Sequence, residues 1–142
     1  MMQTTPFLTF VGDNCGKAKE AIDFYVSVFP NSAIKHITYF KDGEPGGHPE
    51  LIKYAVFSLN GTEYRISENT YKHTWSFSPG ISLFIDCSSE TEIDIFFEKL
   101  SSQGQIMIPL DNYESGDYGF GEKFGWCEDK YGVSWQFNLN SN

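Results

Sequence analysis

Positive charge is scarce in this chain: 10 Lys and Arg stand against 19 Asp and Glu, a formal net charge of −9. Such a balance argues against nucleic acid and against anionic membrane surfaces as partners. It leaves small ligands open, because one local cation can outweigh a distant acidic surface. Cysteine is equally sparse. Cys15, Cys87 and Cys127 are widely spaced and form no C-x-x-C pair, so neither a disulfide framework nor a thiolate zinc site is expected. The three histidines, His36, His48 and His73, show no ligand spacing. No run approaches the 18 or so apolar residues of a membrane span. The first five residues lack the basic and apolar segments of a signal peptide. The expected setting is the reducing cytoplasm.

What is present is aromatic. Phe, Trp and Tyr make up 17% of 142 residues, which favours a β-rich interior built from large rings. This length predicts one domain, burying roughly 68% of its unfolded surface. The most informative stretch runs from Phe124 to Phe137 and predicts a β-hairpin. Asp129-Lys130-Tyr131-Gly132 turns the chain, and Val133, Trp135 and Phe137 then share one strand face. Ser134 and Gln136 share the other, which faces either solvent or a polar cavity.

Taken in order, residues 6–11 predict a first strand buried on both faces. Asp13 or Asn14 is a candidate cap for the helix that follows. In that helix Ala18, Ala21, Ile22, Tyr25, Val28 and Phe29 form one apolar stripe. Strands are expected at 33–40, 51–59 and 62–68, the last two joined by an Asn60-Gly61 type I′ turn. Residues 69–78 read as a polar linker. The pattern then repeats. Residues 79–86 echo 6–13, Ser89-Glu90-Thr91-Glu92 is a capping box, and Ile93, Phe96, Phe97 and Leu100 form a second stripe. Gly104 suits a helix C′ position, a strand follows at 105–110, and a Gly- and aromatic-rich loop leads into the closing hairpin. The economical reading is α+β: tandem βαβββ modules at 5–68 and 79–140, joined by the linker 69–78, forming a curved mixed sheet within a single domain 1–142.

This pattern resembles the vicinal oxygen chelate superfamily of glyoxalases, bleomycin-resistance proteins and extradiol dioxygenases. More narrowly, the chain resembles the PhnB-like family, whose members carry the description "3-demethylubiquinone-9 3-methyltransferase domain". The matching pieces are Thr5-Pro6-Phe7-Leu8, Ala21-Ile22-Asp23-Phe24-Tyr25, Phe29-Pro30-Asn31-Ser32 and Asn60-Gly61-Thr62-Glu63-Tyr64. Gly125-Trp126 and the run from Asp129 to Gln136 complete the match.

The resemblance implies a cup-shaped site, a homodimer and, in metal-using members, four His, Glu or Gln ligands. Those ligand positions map to Pro6, Arg65, Gly80 and Gln136. Proline and glycine have no ligating side chain, and arginine repels a cation, so no metal and no cofactor is expected. The methyltransferase wording is not expected to denote an activity, since a doubly wound cofactor fold needs alternating strands and helices.

The expected cup lining is Leu8, Phe10, Arg65, Ser82, Phe84, Ser134 and Gln136, with Tyr113, Tyr118 and Phe120 on a lid loop. It suits a small, partly hydrophobic ligand, neutral or anionic, with Arg65 as the anchor for an anion, unless Arg65 simply pairs with Glu63 or Glu68. Cys127 lacks a visible activating base, so its expected role is structural. Three readings stay open: a metal-free small-molecule-binding protein, a glyoxalase- or dioxygenase-like enzyme, and a structural module whose cup is filled.

Overall fold

A computed structural model describes residues 1–113 and 123–140. The chain divides into two compact units, Met1–Ser76 and Phe77–Asn142, and the division falls inside the 69–78 segment. The first unit runs β1 (Phe7–Phe10), α1 (Ala18–Val28), β2 (Ala33–Tyr39), β3 (Ile52–Leu59) and β4 (Thr62–Glu68). The second repeats the series as β5 (Leu83–Cys87), α2 (Glu90–Ser101), β6 (Gln105–Asn112), β7 (Lys123–Glu128) and β8 (Ser134–Leu139). Each sheet has four strands, in the orders β1-β4-β3-β2 and β5-β8-β7-β6. In both, the first strand lies parallel to the last and the other pairings are antiparallel. Among the described residues no helix is long and apolar enough to cross a membrane.

Each helix covers one face of its own sheet, and the apolar stripes account for this. Ala18, Ala21, Ile22, Tyr25 and Val28 of α1 are buried. Tyr25 stacks on Phe57 at 6.4 Å and Phe57 on Tyr64 at 5.6 Å, continuing the core across β3 and β4. Ile93, Phe96, Phe97 and Leu100 do the same for α2, where Phe97 meets Phe137 edge-on at 6.0 Å. Gly125 sits beneath that helix. A Cβ there would lie 2.8 Å from the Phe97 ring, so a side chain would push α2 off the sheet.

Four local expectations are corrected. The first strand is not buried on both faces. It is an edge strand bonded only to β4, and Phe7 stays half exposed while Phe10 is fully buried. Neither Asp13 nor Asn14 caps α1 by its side chain. Those residues form a 3₁₀ turn instead, and the helix cap comes from Glu68. Its Oε1 accepts from the N–H groups of Gly16 at 2.5 Å and Ala18 at 3.1 Å. Gly104 is not needed for a left-handed backbone, because Gln103 adopts that conformation at φ 61°. It is needed for space, since an added Cβ would sit 2.0 Å from the Glu128 carbonyl oxygen. The fifth strand starts at Leu83 rather than 79. The hairpin and capping readings do match. Asn60 and Gly61 take φ values of 48° and 86°, as a type I′ turn demands, and Ser89 Oγ accepts from the Glu92 N–H at 3.1 Å.

Candidate functional site

In the second unit the alternation along β8 separates two chemistries. Trp135 and Phe137 are fully buried on the α2 side. Ser134, Gln136 and Asn138 point to the face without a helix. Register extends that face across the neighbouring strands: Phe84 pairs with Gln136 and Asp86 with Asn138 on β5, while Trp126 pairs with Gln136 and Glu128 with Ser134 on β7.

A connected polar chain runs over it. The Trp126 indole Nε1–H donates to Ser134 Oγ at 2.8 Å, and Ser134 Oγ lies 2.6 Å from Ser82 Oγ. The Gln136 amide donates to Ser82 Oγ at 3.1 Å. Beside it the Asn138 amide donates to Asp86 Oδ1 at 2.9 Å. Ser134 is buried, whereas Ser82, Trp126 and Gln136 are half-buried and Phe84 is 40% exposed. The buried end of the chain is therefore fixed and its outer end is accessible.

The hairpin turn holds this register. Asp129, buried in the turn, accepts from the Tyr131 and Val133 N–H groups through Oδ1 at 2.8 and 3.1 Å. Its Oδ2 accepts from the Trp135 indole at 2.9 Å.

The candidates of the first unit do not form one surface. Leu8 and Phe10 pair with Ile66 and Glu68 on β4, and Phe7 pairs with Arg65. Since Glu68 reaches α1, Leu8 and Phe10 lie on the helix side and Arg65 on the opposite face. Phe10 is thus core and lines no cavity with Arg65. The Arg65 face also carries Val56 on β3 and His36 on β2 through register, and the Tyr54 ring, 6.2 Å from Phe7. Arg65 Nη2 lies 3.5 Å from Glu63 Oε2, a long and partly exposed pairing worth under about 1 kcal/mol. Its Nε is shielded and has no hydrogen-bond partner among the described residues. Glu68 does not pair with Arg65.

Tyr113 donates its hydroxyl to the Pro109 carbonyl at 2.7 Å. Tyr118 and Phe120 fall outside the described residues. The histidines have local partners: His36 and Thr38 at 2.8 Å, His73 and Asn69 at 2.8 Å, and the Glu50 N–H against His48 Nδ1 at 3.4 Å. Among the described residues no three His, Cys, Asp or Glu side chains are grouped to hold a metal. The mapped superfamily positions do not fit one chemically. Pro6 accepts the Arg65 N–H at 3.0 Å through its backbone carbonyl, and Gly80 has no side chain.

A cavity of about 450 Å³ in the first unit is lined by Gly12, Cys15 and residues 69–73. None of the predicted site residues borders it. Burial, followed by the Glu68 charge, raises the Cys15 thiol above its ordinary range, which disfavours a thiolate at the cavity wall. Burial likewise pushes Cys87 and Cys127 up to about 12. At pH 8 the thiolate fraction of each is then about one in ten thousand. In a native-state titration with an aromatic disulfide reagent, Cys87 and Cys127 are expected to stay unmodified over minutes. Denaturant should release both at once, and rapid native modification of Cys127 would overturn its structural role.

Comparison with known proteins follows the same lines as the topology. The family described as 3-demethylubiquinone-9 3-methyltransferase matches residues 2–138. The chain belongs to that family. A PhnB protein from Bacillus cereus shares 40% identity over 97% of this chain and 99% of its own, with a TM-score of 0.85. Protein PA1353 from Pseudomonas aeruginosa is 22% identical over 100% of both chains, at a TM-score of 0.79. A glyoxylase/bleomycin resistance protein/dioxygenase domain from Frankia sp. EAN1pec is 12% identical over 100% of this chain and 94% of its own, at a TM-score of 0.61. These last two likenesses concern the fold alone. Comparison with curated proteins gave no match. The PhnB-like fold is therefore that of the glyoxalase/bleomycin resistance/dioxygenase group.

Sequence reasoning missed Trp126 as a member of the polar chain, and Asn138 with Asp86. Trp126 was legible only through the hairpin register, because Phe124-Gly125-Trp126-Cys127 shows no alternation. Asn138 continues the Ser134, Gln136 period of two and was within reach.

Proposed function

We propose that this PhnB-like protein is a metal-free small-molecule-binding protein. Its ligand is held against the helix-free face of the second sheet, with the polar end at Ser82 and Gln136. The observation that carries this reading is the Trp126–Ser134–Ser82–Gln136 chain. A buried serine stacked behind a half-exposed polar pair, with Phe84 beside it, is the mixture of apolar surface and few placed polar groups that small ligands need. Arg65, on the helix-free face of the first sheet, is a separate anchor in this reading, for an anionic ligand group, through the exposed end of its guanidinium. The protein acts in the cytoplasm as a homodimer, without nucleic acid or membrane. The methyltransferase wording of the family is read as a name, since neither sheet has the doubly wound topology of a cofactor-binding crevice.

The test is a fragment survey by two-dimensional NMR in the presence of a chelator, paired with elemental analysis of untagged protein purified without one. Fragments should shift the Trp126 indole and Gln136 side-chain amide resonances equally with and without chelator. About one retained ion per chain, lost in Gln136→Ala, would instead make a metalloenzyme the better reading. A survey in which no fragment moves those resonances would leave the filled structural module.

A further inference from the structure

The hydrogen-bond chain has a direction. An indole N–H can only donate, so Ser134 Oγ must accept from Trp126. If Ser82 also donated to Ser134, the hydroxyl hydrogen of Ser134 would be left without an acceptor. Ser134 is 2% exposed, and its only side-chain partners among the described residues are Trp126 and Ser82. A stranded buried donor is costly. Ser134 therefore donates to Ser82, and Ser82 accepts from both Ser134 and Gln136. Its own hydroxyl hydrogen is left pointing out of the chain. Gln136 keeps one amide N–H and its carbonyl oxygen without a partner among the described residues. The outer end thus presents two donors and one acceptor side by side.

Charge restricts what can meet them. The second unit contains three cations, Lys99, Lys123 and Lys130. Lys99 is on α2, Lys123 bonds Glu90 and Asp94 of that helix at 3.0 and 2.7 Å, and Lys130 lies over the Tyr131 ring in the hairpin turn. Among the described residues of the second unit, the helix-free face carries Asp86 and Glu128 and no cation. A carboxylate or phosphate there would find no counter-charge among these residues and would set an acceptor against the Gln136 carbonyl.

We infer that this end of the site takes the amide edge of an uncharged, flat ligand, a carboxamide or lactam. Its carbonyl oxygen accepts from Ser82 Oγ–H and Gln136 Nε2–H, its N–H donates to Gln136 Oε1, and its ring lies along Phe84. The inference rests on the small-molecule reading above and departs from the anionic ligand expected from Arg65.

Benzamide and benzoate form a matched pair that differs in this edge and in charge. Titrated into the full-length protein, benzamide should move the Trp126 indole and Gln136 amide resonances and bind there about tenfold more tightly than benzoate, the effect of one well-placed hydrogen bond. Ser82→Ala should abolish that preference; it also takes the acceptor from the buried Ser134 hydroxyl, so the melting temperature should drop by several degrees while the amide spectrum of the folded protein is retained. Equal or tighter benzoate binding at these resonances overturns the amide edge but leaves small-molecule binding in place. A benzamide preference that survives in Ser82→Ala also overturns it. If neither probe moves these resonances, the inference fails, and the fragment survey decides separately whether the binding reading survives.

Discussion

Replacing Asp129 by alanine should cost about 3–5 kcal/mol of stability and lower the melting temperature by about 10 °C or more. Asp129 is 3% exposed, and its carboxylate accepts from the Tyr131 and Val133 amides and the Trp135 indole among the described residues. Bonds to an ionised acceptor contribute more than neutral ones. Its removal would also strand three donors, the indole belonging to a fully buried tryptophan. Asp129→Asn should fall about midway. Its single amide oxygen can still serve the two backbone groups, but an NH₂ would face the indole N–H. Lys130→Ala at the exposed neighbouring position should change stability by under about 1 kcal/mol. Chemical denaturation of the three variants checks the order. An alanine variant as stable as the parent would mean that the backbone turn, with the Gly132 N–H on the Asp129 carbonyl at 2.9 Å, suffices without the side chain. Any loosening here also reaches the site, because this turn sets the pairings of Trp126 with Gln136 and Glu128 with Ser134.

The contrast between β8 and β1 shows what could be read in advance. Along β8 polar and apolar residues alternate, so the two faces separate in the sequence itself, and Ser134 and Gln136 fall correctly on the helix-free side. Along β1 the residues Phe7, Leu8 and Phe10 are all apolar, and alternation says nothing about which of them face the helix. That choice is made by the parallel register with β4, nearly 60 residues away, where a slip of one residue exchanges the faces. Assigning Phe10 to the same surface as Arg65 was such a slip. The helices were legible because their stripes are local, and the Asn60-Gly61 turn because its backbone demand is local. Gly104 was read as a backbone requirement, whereas the constraint is the Glu128 carbonyl passing over it, a contact no local pattern announces.

Glu68 carries the same lesson to larger energies. It lies at the end of β4, is 3% exposed, and its two carboxylate oxygens tie three elements together. Oε1 takes the amides of Gly16 and Ala18 at the start of α1, and Oε2 takes the Ile52 amide at 2.8 Å where β3 begins. A negative charge at a helix N-terminus is favoured by the aligned peptide dipoles as well as by the bonds themselves. Glu68→Ala should therefore cost about 3–5 kcal/mol. Asp13→Ala, at the exposed one of the two residues that the sequence offered as caps, should cost under about 0.5 kcal/mol. Glu68→Gln separates geometry from charge. It preserves one acceptor for the helix amides, turns an NH₂ toward Ile52, and should lose roughly half as much. It also removes the negative charge that helps raise the Cys15 thiol. The Cys15 pKa should then fall toward its ordinary value, although burial, the larger cause, keeps it from returning fully. The rate of Cys15 alkylation against pH reads that shift in the folded protein, independently of any loss of stability. A stable Glu68→Ala protein with an unchanged Cys15 profile would place the cap elsewhere. A destabilised one with the profile moved to lower pH would establish that the first unit's helix is fastened to its sheet by one buried charge, fifty residues from the amides it caps.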